Sequence, residues 1–369
     1  MHRDRRDRES GPLHGAPMPM KVRAIACVME QTLGSITHYL NLRRHETVYP
    51  GCKTRWLPVA YRDARIAGTP WTVTGSLAAR RVLKPMLSEV DGVFMHTATL
   101  APLTVDYFHK KPVIVSADGT PLNKRSMRAA YGLKPEWRVT ERAKQLFYRE
   151  VFARAHGFVA WSQWAKQSFV EDYGCREQDV VVIPPGIDLE RFSVTNEREH
   201  ELPRILFVGG DFLRKGGDVL LSVFRQRLRG KAELVLVTRD TNINEPGVTT
   251  HCNVAPNSEA LLKLYSEADI FVLPTRADCY SLVCMEAMAC GLPCVITNVG
   301  GIRDILDDGK TGHLLAVDDA AALGDVLEAL VADPARRREM GQRCREVALS
   351  RFDSRENARR LFEFVCDRC

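Results

Sequence analysis

Short apolar runs alternate with helix-like segments along the chain, and this alternation limits the fold more than any other feature of the sequence. In the first half the runs lie at Val22–Met29, Gly92–Met95, Val113–Ala117, Gly157–Trp161 and Val180–Ile183. The clearest helix-like segments between them are Leu77–Leu87, Trp137–Ala155 and Ser162–Tyr173. Continuous apolar strands separated by helices are typical of a parallel sheet that is covered on both faces.

The alternation stops at Pro184-Pro185-Gly186-Ile187-Asp188 and the polar stretch Ser193–Glu201, and then begins again. Strands are predicted at Arg204–Val208, Glu233–Thr238, Ile270–Pro274 and Pro293–Thr297, with helices at 217–229, 258–268, 281–289 and 319–331. Pro-Pro-Gly continues neither a helix nor a strand, so this break is interpreted as a domain junction. The 369 residues therefore predict two doubly wound Rossmann-like α/β domains, 20–192 and 193–352, facing each other across a cleft.

Composition excludes several broad classes of protein. With 45% hydrophobic and 27% charged residues the chain is expected to fold, which excludes a wholly disordered protein. Its longest stretch with few charges, Cys279–Ile302, is interrupted by Gly291-Leu292-Pro293, so a membrane-spanning protein is not expected. Residues 1–19 mix arginines with acidic residues and lack the apolar run of a secretory signal, so they are interpreted as a disordered leader. Eleven scattered cysteines are typical of reduced thiols, which favours a cytoplasmic protein.

The net charge of +6 is distributed unevenly. Residues 1–200 hold 30 Lys and Arg against 21 Asp and Glu, whereas residues 201–369 hold 22 against 25. Residues 124–154 alone carry nine positive and three negative side chains. This basic segment is either a solvated helix face or a surface that attracts anionic lipid at the inner membrane face or an anionic acceptor. No nucleic-acid-binding motif accompanies it, so nucleic acid is not an expected partner.

A glycine-rich loop with two adjacent cations follows the predicted strand Arg204–Val208. It runs Gly209-Gly210-Asp211-Phe212-Leu213-Arg214-Lys215-Gly216-Gly217 and leads into a predicted helix. Glycines let backbone N–H groups approach an anion, and Arg214 and Lys215 can neutralise a diphosphate. Neither GxGxxG nor a P-loop is present, so the loop alone is equally consistent with a turn bearing two solvated cations.

A second cluster, Asp278–Glu286, follows the predicted strand Ile270–Pro274. A helix is expected to begin near Tyr280, Ser281 and Leu282, and the free N–H groups at its start favour a phosphate. The helical rise separates the carboxylates of Asp278 and Glu286 by about the width of a ligand. Both carboxylates can accept hydrogen bonds from sugar hydroxyls. The alternative is that Glu286 binds no ligand and only caps the helix or pairs with a neighbouring side chain, on a helix that is otherwise apolar.

Residues 200–315 resemble the carboxyl-terminal domain of the retaining family-4 glycosyltransferases of the GT-B fold, and residues 21–185 resemble the other half more loosely. The matching stretches are Phe207–Gly210, Arg214–Gly216, Pro185–Asp188 with Arg191-Phe192, Ala268–Pro274, Glu286–Pro293, Val299–Ile302 and Gly309–Gly312. The resemblance implies an acceptor-binding domain at 20–192, a nucleotide-sugar-binding domain at 193–352, and a final helix at about 353–369 that returns to the first domain.

The resemblance also assigns roles to residues of the donor site. Arg214 and Lys215 would bind the donor diphosphate, and Glu286 would contact the ribose. Asp278 would contact the transferred sugar, at a position where the family has Glu. Gly210 stands where the family usually has Arg, so Arg214 is expected to substitute for that side chain.

In the first domain the resemblance places the family's glycine-rich turn at Gly34. The family's frequent histidine has no clear counterpart. Asp118, which follows the strand Val113–Ala117, or His96, which follows Gly92–Met95, is the expected side chain near the reacting carbon. A lone histidine at a strand end is otherwise often structural.

The expected activity is transfer of a hexose, with retention, from a nucleoside diphosphate sugar to a hydroxyl of a glycan, glycolipid or small molecule. The donor is expected to be UDP- or GDP-linked. No required metal or other cofactor is expected, because no cluster shows metal-ligand spacing. The alternatives are another GT-B sugar-nucleotide enzyme, such as an epimerase, or an inactive scaffold that binds membranes through its basic segment.

Overall fold

The fold is known from a computed structural model, which describes residues 21–61, 70–134, 137–193, 201–239, 243 and 245–369. The predicted leader at 1–19 lies outside these described residues, as does 194–200 of the predicted polar junction. Within the described part, none of the helices combines the length and apolar character needed to cross a bilayer. All eleven cysteines are described, and each is a free thiol.

The first half of the chain forms a six-stranded parallel sheet. Its strands are β1 (Arg23–Glu30), β2 (Cys52–Val59), β3 (Gly92–His96), β4 (Val113–Ala117), β5 (Gly157–Ala160) and β6 (Val180–Val182). They lie in the order β2-β1-β3-β4-β5-β6. The helices are α1 (Leu33–Arg44), α2 (Trp71–Leu83), α3 (Arg138–Ala153) and α4 (Gln163–Glu171).

The second half forms another six-stranded parallel sheet. Its strands are β7 (Arg204–Val208), β8 (Glu233–Val237), β9 (Val248–His251), β10 (Ile270–Leu273), β11 (Cys294–Thr297) and β12 (Gly312–Leu315). Their order is β12-β11-β10-β7-β8-β9. The helices are α5 (Gly217–Val223), α6 (Glu259–Glu267), α7 (Leu282–Ala289), α8 (Ala320–Ala332), α9 (Pro334–Arg351) and α10 (Ser354–Cys366). Two parallel sheets with helices confirm the predicted fold class.

Alternate side chains of β1 show why the first sheet is covered on both faces. Ile25 and Met29 are buried with side chains of α1 and α10, whereas Ala26 and Val28 are buried with side chains of α2. Since successive side chains of a strand point to opposite faces, a continuous apolar strand requires cover on each side. The last helix, α10, therefore packs on the sheet formed by the first half of the chain.

The two segments that connect the halves pair with each other. The N–H of Ile187 donates to the carbonyl of Phe352 at 2.7 Å, and the N–H of Ser354 donates to the carbonyl of Ile187 at 3.0 Å. A Cβ on Gly186 would lie 2.1 Å from the Cα of Ser354. Only glycine permits this approach, so the Pro-Pro-Gly sequence marks the point where the two connections lie side by side.

Candidate active site

The glycine-rich loop and the Asp278 cluster meet where the strand order of the second sheet reverses. The chain leaves β7 toward β8 on one side and leaves β10 toward β11 on the other. Ligands of open α/β sheets bind beyond the carboxyl ends of strands at such a point. Gly216, in the loop after β7, has φ +74°, and a Cβ there would lie 1.9 Å from the carbonyl oxygen of Pro274, just after β10. This close packing holds the two loops together.

Lys215 and Asp278 form an ion pair across these two loops. Lys215 Nζ lies 2.5 Å from Asp278 Oδ2, and both side chains are largely buried. Arg214 donates from Nε to Asp211 at 3.0 Å and from Nη1 to the carbonyl of Ala277 at 2.8 Å. Both predicted cations and the predicted sugar-contacting carboxylate therefore lie together in one place.

A third cation lies beside Gly210, the position at which the resemblance leads one to expect an arginine. A Cβ on Gly210 would lie 3.4 Å from Nε of Arg239, an exposed residue that follows β8. Arg239 therefore brings a positive charge next to Gly210, in addition to the cations Arg214 and Lys215 of the same loop. Sequence reasoning missed it because it lies 29 residues further along the chain and is brought near only by the pairing of β7 with β8.

Glu286 lies on α7, is buried, and accepts a hydrogen bond from the Tyr265 hydroxyl at 2.9 Å. Burial raises the pKa of Glu286 to about 7, while the hydrogen bond from Tyr265 opposes that rise. The local pairing that the sequence left open for Glu286 is therefore present in this structure. Its partner on α6 carries no sequence signal that would have identified it.

The start of α7 contacts the first domain. Ser281 is the N-cap residue, and its buried hydroxyl has no hydrogen-bond partner in the structure. The ring of Tyr280 lies edge-on to Trp161, with centroids 6.3 Å apart. A Cβ on Gly34 would be 4.0 Å from Cδ1 of Leu282, so the turn after β1 faces this helix start. The predicted residues Gly34, from the first half of the chain, and Tyr280–Leu282, from the second half, therefore lie together where the two halves meet.

His96 ends β3 and is stacked on Trp161, with ring centroids 5.0 Å apart and planes 10° apart. His38 of α1 lies 5.0 Å from His96, and both its ring nitrogens lack hydrogen-bond partners, as does Nε2 of His96. Burial lowers the pKa of His96 to about 3, assisted by the charge of Lys124, and burial likewise lowers the pKa of His38. Both imidazoles are thus uncharged, and their unpartnered nitrogens lie near the boundary between the sheets.

Asp118 lies at the end of β4 and faces the loop that carries Asp278. It forms an ion pair with Lys124 at 3.0 Å. The pKa of the Cys279 thiol is raised mainly by burial and, to a smaller extent, by the negative charge of the nearby Asp118 carboxylate. Asp118 is therefore within electrostatic reach of the residue next to Asp278. His96, in contrast, is fully buried against Trp161.

The segment after β4 forms the rest of the boundary and was not identified from the sequence as part of the site. Met127 is buried with Ala277 and Cys279, the neighbours of Asp278. The guanidinium of Arg214 lies 5.0 Å from the ring centroid of Tyr131, an arrangement typical of a cation–π contact. Among the described residues, no group of three or more His, Cys, Asp or Glu side chains is arranged to hold a metal ion.

Two family descriptions match successive parts of the chain. "Glycosyltransferase Family 4" matches residues 29–191, and "Glycosyl transferases group 1" matches residues 202–333. The chain belongs to the family-4 glycosyltransferases. The two matches meet near the paired connections at Gly186, and together they include each of the residues discussed in the candidate site.

One relative of this family-4 chain is the D-inositol 3-phosphate glycosyltransferase of Xylanimonas cellulosilytica. It is 31% identical over 241 residues, which cover 58% of this chain and 57% of the relative. The chain thus spans about half the length of the curated relatives that it matches.

Solved structures are similar over nearly the whole chain. Sucrose-phosphate synthase from Thermosynechococcus elongatus has a TM-score of 0.71 at 17% identity, covering 92% of this chain and 98% of that one. HepE from Anabaena in complex with UDP-glucose has a TM-score of 0.68 at 14% identity, with the same coverage. At these identities the likeness shows the GT-B fold alone.

Proposed function

We propose that the protein is a retaining glycosyltransferase that moves a hexose from a nucleoside diphosphate sugar to an acceptor hydroxyl. The observation that carries this proposal is the meeting of Lys215, Arg214 and Asp278 beside the start of α7, at the strand-order reversal of the second sheet. Cations and free helix N–H groups suit a diphosphate, and a carboxylate suits sugar hydroxyls. The UDP-glucose complex of the similar HepE structure supports a nucleotide-sugar donor.

The proposed donor site would stabilise the charge that develops as the sugar leaves. The diphosphate becomes more negative as the bond to the anomeric carbon breaks. Lys215 and Arg214 are held by hydrogen bonds before any ligand arrives, so little reorganisation is needed in the transition state. In the proposed complex Lys215 binds the diphosphate, and Asp278 accepts hydrogen bonds from the transferred hexose.

Retention would follow from attack on the face that the diphosphate leaves. The donor phosphate would then accept the proton of the acceptor hydroxyl, so no carboxylate nucleophile is required. The uncharged His96 and the unpartnered Ser281 hydroxyl offer hydrogen bonds at the boundary without adding charge. The proposed donor is UDP- or GDP-linked, and the proposed reaction needs no metal ion.

A substitution of Lys215 tests this proposal. Lys215→Ala should lower kcat by roughly 100-fold or more, because one preorganised charge on the leaving group is lost. The readout is release of nucleoside diphosphate from UDP-glucose and GDP-mannose, with and without a panel of hydroxyl acceptors. Lys263→Ala, an exposed lysine of α6, is the matched control. Equal rates for both variants, each still folded, would rule out the donor site described.

We also propose that α3 contacts an anionic membrane surface. Trp137 and Val139 at the start of α3 are 83% and 79% exposed, and Leu146 and Phe147 are exposed further along. Arg138, Arg142 and Arg149, here called the outer arginines, lie at helical spacing and border a groove of about 460 Å³ beside Leu146. Apolar side chains interleaved with cations are typical of helices that lie in a membrane interface.

Reversal of the outer arginines to Glu tests the membrane contact. The parent protein should bind vesicles that contain phosphatidylglycerol, and the triple reversal should abolish binding, because attraction becomes repulsion. Reversal of Arg336, Arg338 and Arg343, exposed arginines of α9, is the control for total charge and should leave binding intact. Absence of binding by the parent protein would leave α3 as a solvated helix face.

A further inference from the structure

Four cysteines lie together where α10 packs on the first sheet. Cys27 belongs to β1, Cys52 begins β2, Cys366 ends α10, and Cys369 follows α10. The first three are buried in one apolar cluster, and Cys369 packs against that cluster. Since these residues come from both ends of the chain, the fold and not the local sequence brings their thiols together.

The four thiols lie away from the candidate active site. Cys52 pairs with Arg23, and these are the first residues of β2 and β1. Cys369 lies against Gly92, the first residue of β3. The amino ends of the strands therefore mark this edge of the sheet, whereas the candidate active site lies beyond the carboxyl ends. Chemistry at these thiols is thus independent of the proposed sugar transfer.

Cys52 and Cys366 form a pair within this group. The thiol of Cys366 donates to the carbonyl of Gly51, the residue before Cys52, at 3.6 Å. A further hydrogen bond joins the Cys52 and Cys366 sulfurs. Two sulfurs that already contact each other need little backbone movement to become bonded.

The two thiols of the pair are chemically unequal. The hydrogen bond to Cys366 raises the pKa of Cys52, and burial raises it further. The same hydrogen bond lowers the pKa of Cys366; burial opposes this effect, and the charge of Arg23 assists it. Because the thiolate is the reactive form of cysteine, Cys366 is the sulfur that is oxidised first, and Cys52 is the thiol beside it.

The other two cysteines are less suitable partners for Cys366. Cys366-Asp367-Arg368-Cys369 has CxxC spacing, so Cys369 is the partner that the sequence would suggest. Its sulfur instead fills the space beside Gly92, where a Cβ would lie 2.0 Å from Cys369 Sγ. Burial raises the pKa of Cys369 and of Cys27. Cys52 is therefore the partner that the fold provides.

We infer that Cys52 and Cys366 are a modification site, at which a peroxide converts the two thiols into a reversible disulfide between β2 and α10. The Cys366 thiolate attacks one peroxide oxygen, the O–O bond breaks, and the departing hydroxide takes up a proton to become water. The Cys52 sulfur then attacks the sulfur of the Cys366 sulfenic acid, the S–O bond breaks, and a second water leaves with the Cys52 proton. Two thiols are oxidised and one peroxide is reduced to two waters.

Oxidation of the reduced protein by hydrogen peroxide tests this inference. The remaining thiols are alkylated in denaturant, and the chain is digested without reductant. The peptide with Cys52 should be joined to the peptide with Cys366, at a mass about 2 Da below their sum because two hydrogens are lost, and dithiothreitol should separate them. Absence of the joined peptide, or joining of Cys366 to Cys369 instead, would overturn the inference.

A second thiol group in the same chain is an internal control. Cys294 is hydrogen-bonded to Cys284 and Cys344, but all three are buried, and burial raises the pKa of Cys294. These three cysteines should be recovered as alkylated thiols under conditions that join Cys52 to Cys366. If they form disulfides as fast as Cys52 and Cys366 do, thiol proximity alone decides the reaction, and the assignment of a specific site is wrong.

Two serine variants test the order of the steps. In Cys52→Ser the partner thiol is lost, so Cys366 should accumulate as the sulfenic acid, which dimedone traps. Cys369→Ser is the matched control and should form the Cys52–Cys366 disulfide as the parent does. Dimedone labelling of Cys366 that is no greater in Cys52→Ser than in the parent would contradict the inference. None of these readouts depends on sugar transfer, so failure here is distinct from failure of the proposed function.

Discussion

Buried charge at single residues dominates the candidate site. Glu286 lies on an apolar helix, where its carboxylate accepts a hydrogen bond from the Tyr265 hydroxyl. Sequence reasoning found Glu286 because a carboxylate among Met285, Ala287 and Met288 is costly to place without a purpose. It could not find Tyr265, because a tyrosine at helical spacing on α6 is indistinguishable from an ordinary core residue.

The raised pKa of Glu286 predicts a specific dependence of stability on pH. Between its ordinary pKa of 4.5 and about 7, the folded protein holds a proton that the unfolded chain releases. The stability contributed by this carboxyl is therefore present at low pH and is lost as the pH rises through 7. Relative to Glu286→Gln, the parent should lose up to about 3 kcal/mol of unfolding free energy between pH 4.5 and 7.5.

Denaturant unfolding of both proteins at several pH values measures this difference. Glutamine keeps an oxygen that can accept the Tyr265 hydrogen bond, so the comparison isolates the charge. Glu346→Gln, on an exposed position of α9, serves as the control and should follow the parent curve. Parallel curves for the parent and Glu286→Gln would contradict the assignment of a raised pKa.

Among secondary-structure elements, the central strands were predictable and the edge strands largely were not. β2, β9 and β12 are edge strands that the apolar-run pattern did not identify. β2 contains Lys53 and Arg55 and is buried only in part, because an edge strand is only partly covered. The 18-residue helix α9 was missed for a related reason, since it buries only Met340, Gly341, Cys344 and Ala348 among many arginines.

Gly216, in the loop between β7 and α5, and Gly230, between α5 and β8, are expected to differ in how well they tolerate a side chain. Gly216 and Gly230 have nearly the same positive φ, +74° and +75°. A Cβ on Gly216 would meet the carbonyl of Pro274, whereas one on Gly230 would meet nothing within 4 Å. Gly230→Ala should therefore cost about 1 kcal/mol from backbone strain alone, and Gly216→Ala should cost about 1–3 kcal/mol more.

Thermal unfolding of the two alanine variants measures this contrast, and titration with a nucleoside diphosphate adds a functional readout. Only Gly216→Ala should weaken nucleotide binding, because it displaces the loop that carries Lys215. If both variants lose the same stability, the close packing of the two loops is not a constraint on this site.

Over the whole molecule, the sequence predicted the two sheets but not what lies between them. The fold class could be predicted because the apolar strands and the family motifs are both visible in short contiguous stretches of the sequence. The placement of Tyr131 over Arg214, of Gly34 opposite Leu282 and of Asp118 near Cys279 depends on how the two halves meet. Contacts between residues that lie 80 to 250 positions apart leave no pattern in one sequence.

The measurement that tests the central claim most directly is calorimetric titration of UDP, GDP and ADP, first with EDTA and then with magnesium. The account predicts that one of these nucleotides binds without metal and that Lys215→Ala weakens its binding at least about tenfold. Binding that is unchanged in Lys215→Ala, or no binding of any of the three under either condition, would contradict a nucleotide-sugar site at the reversal of the second sheet.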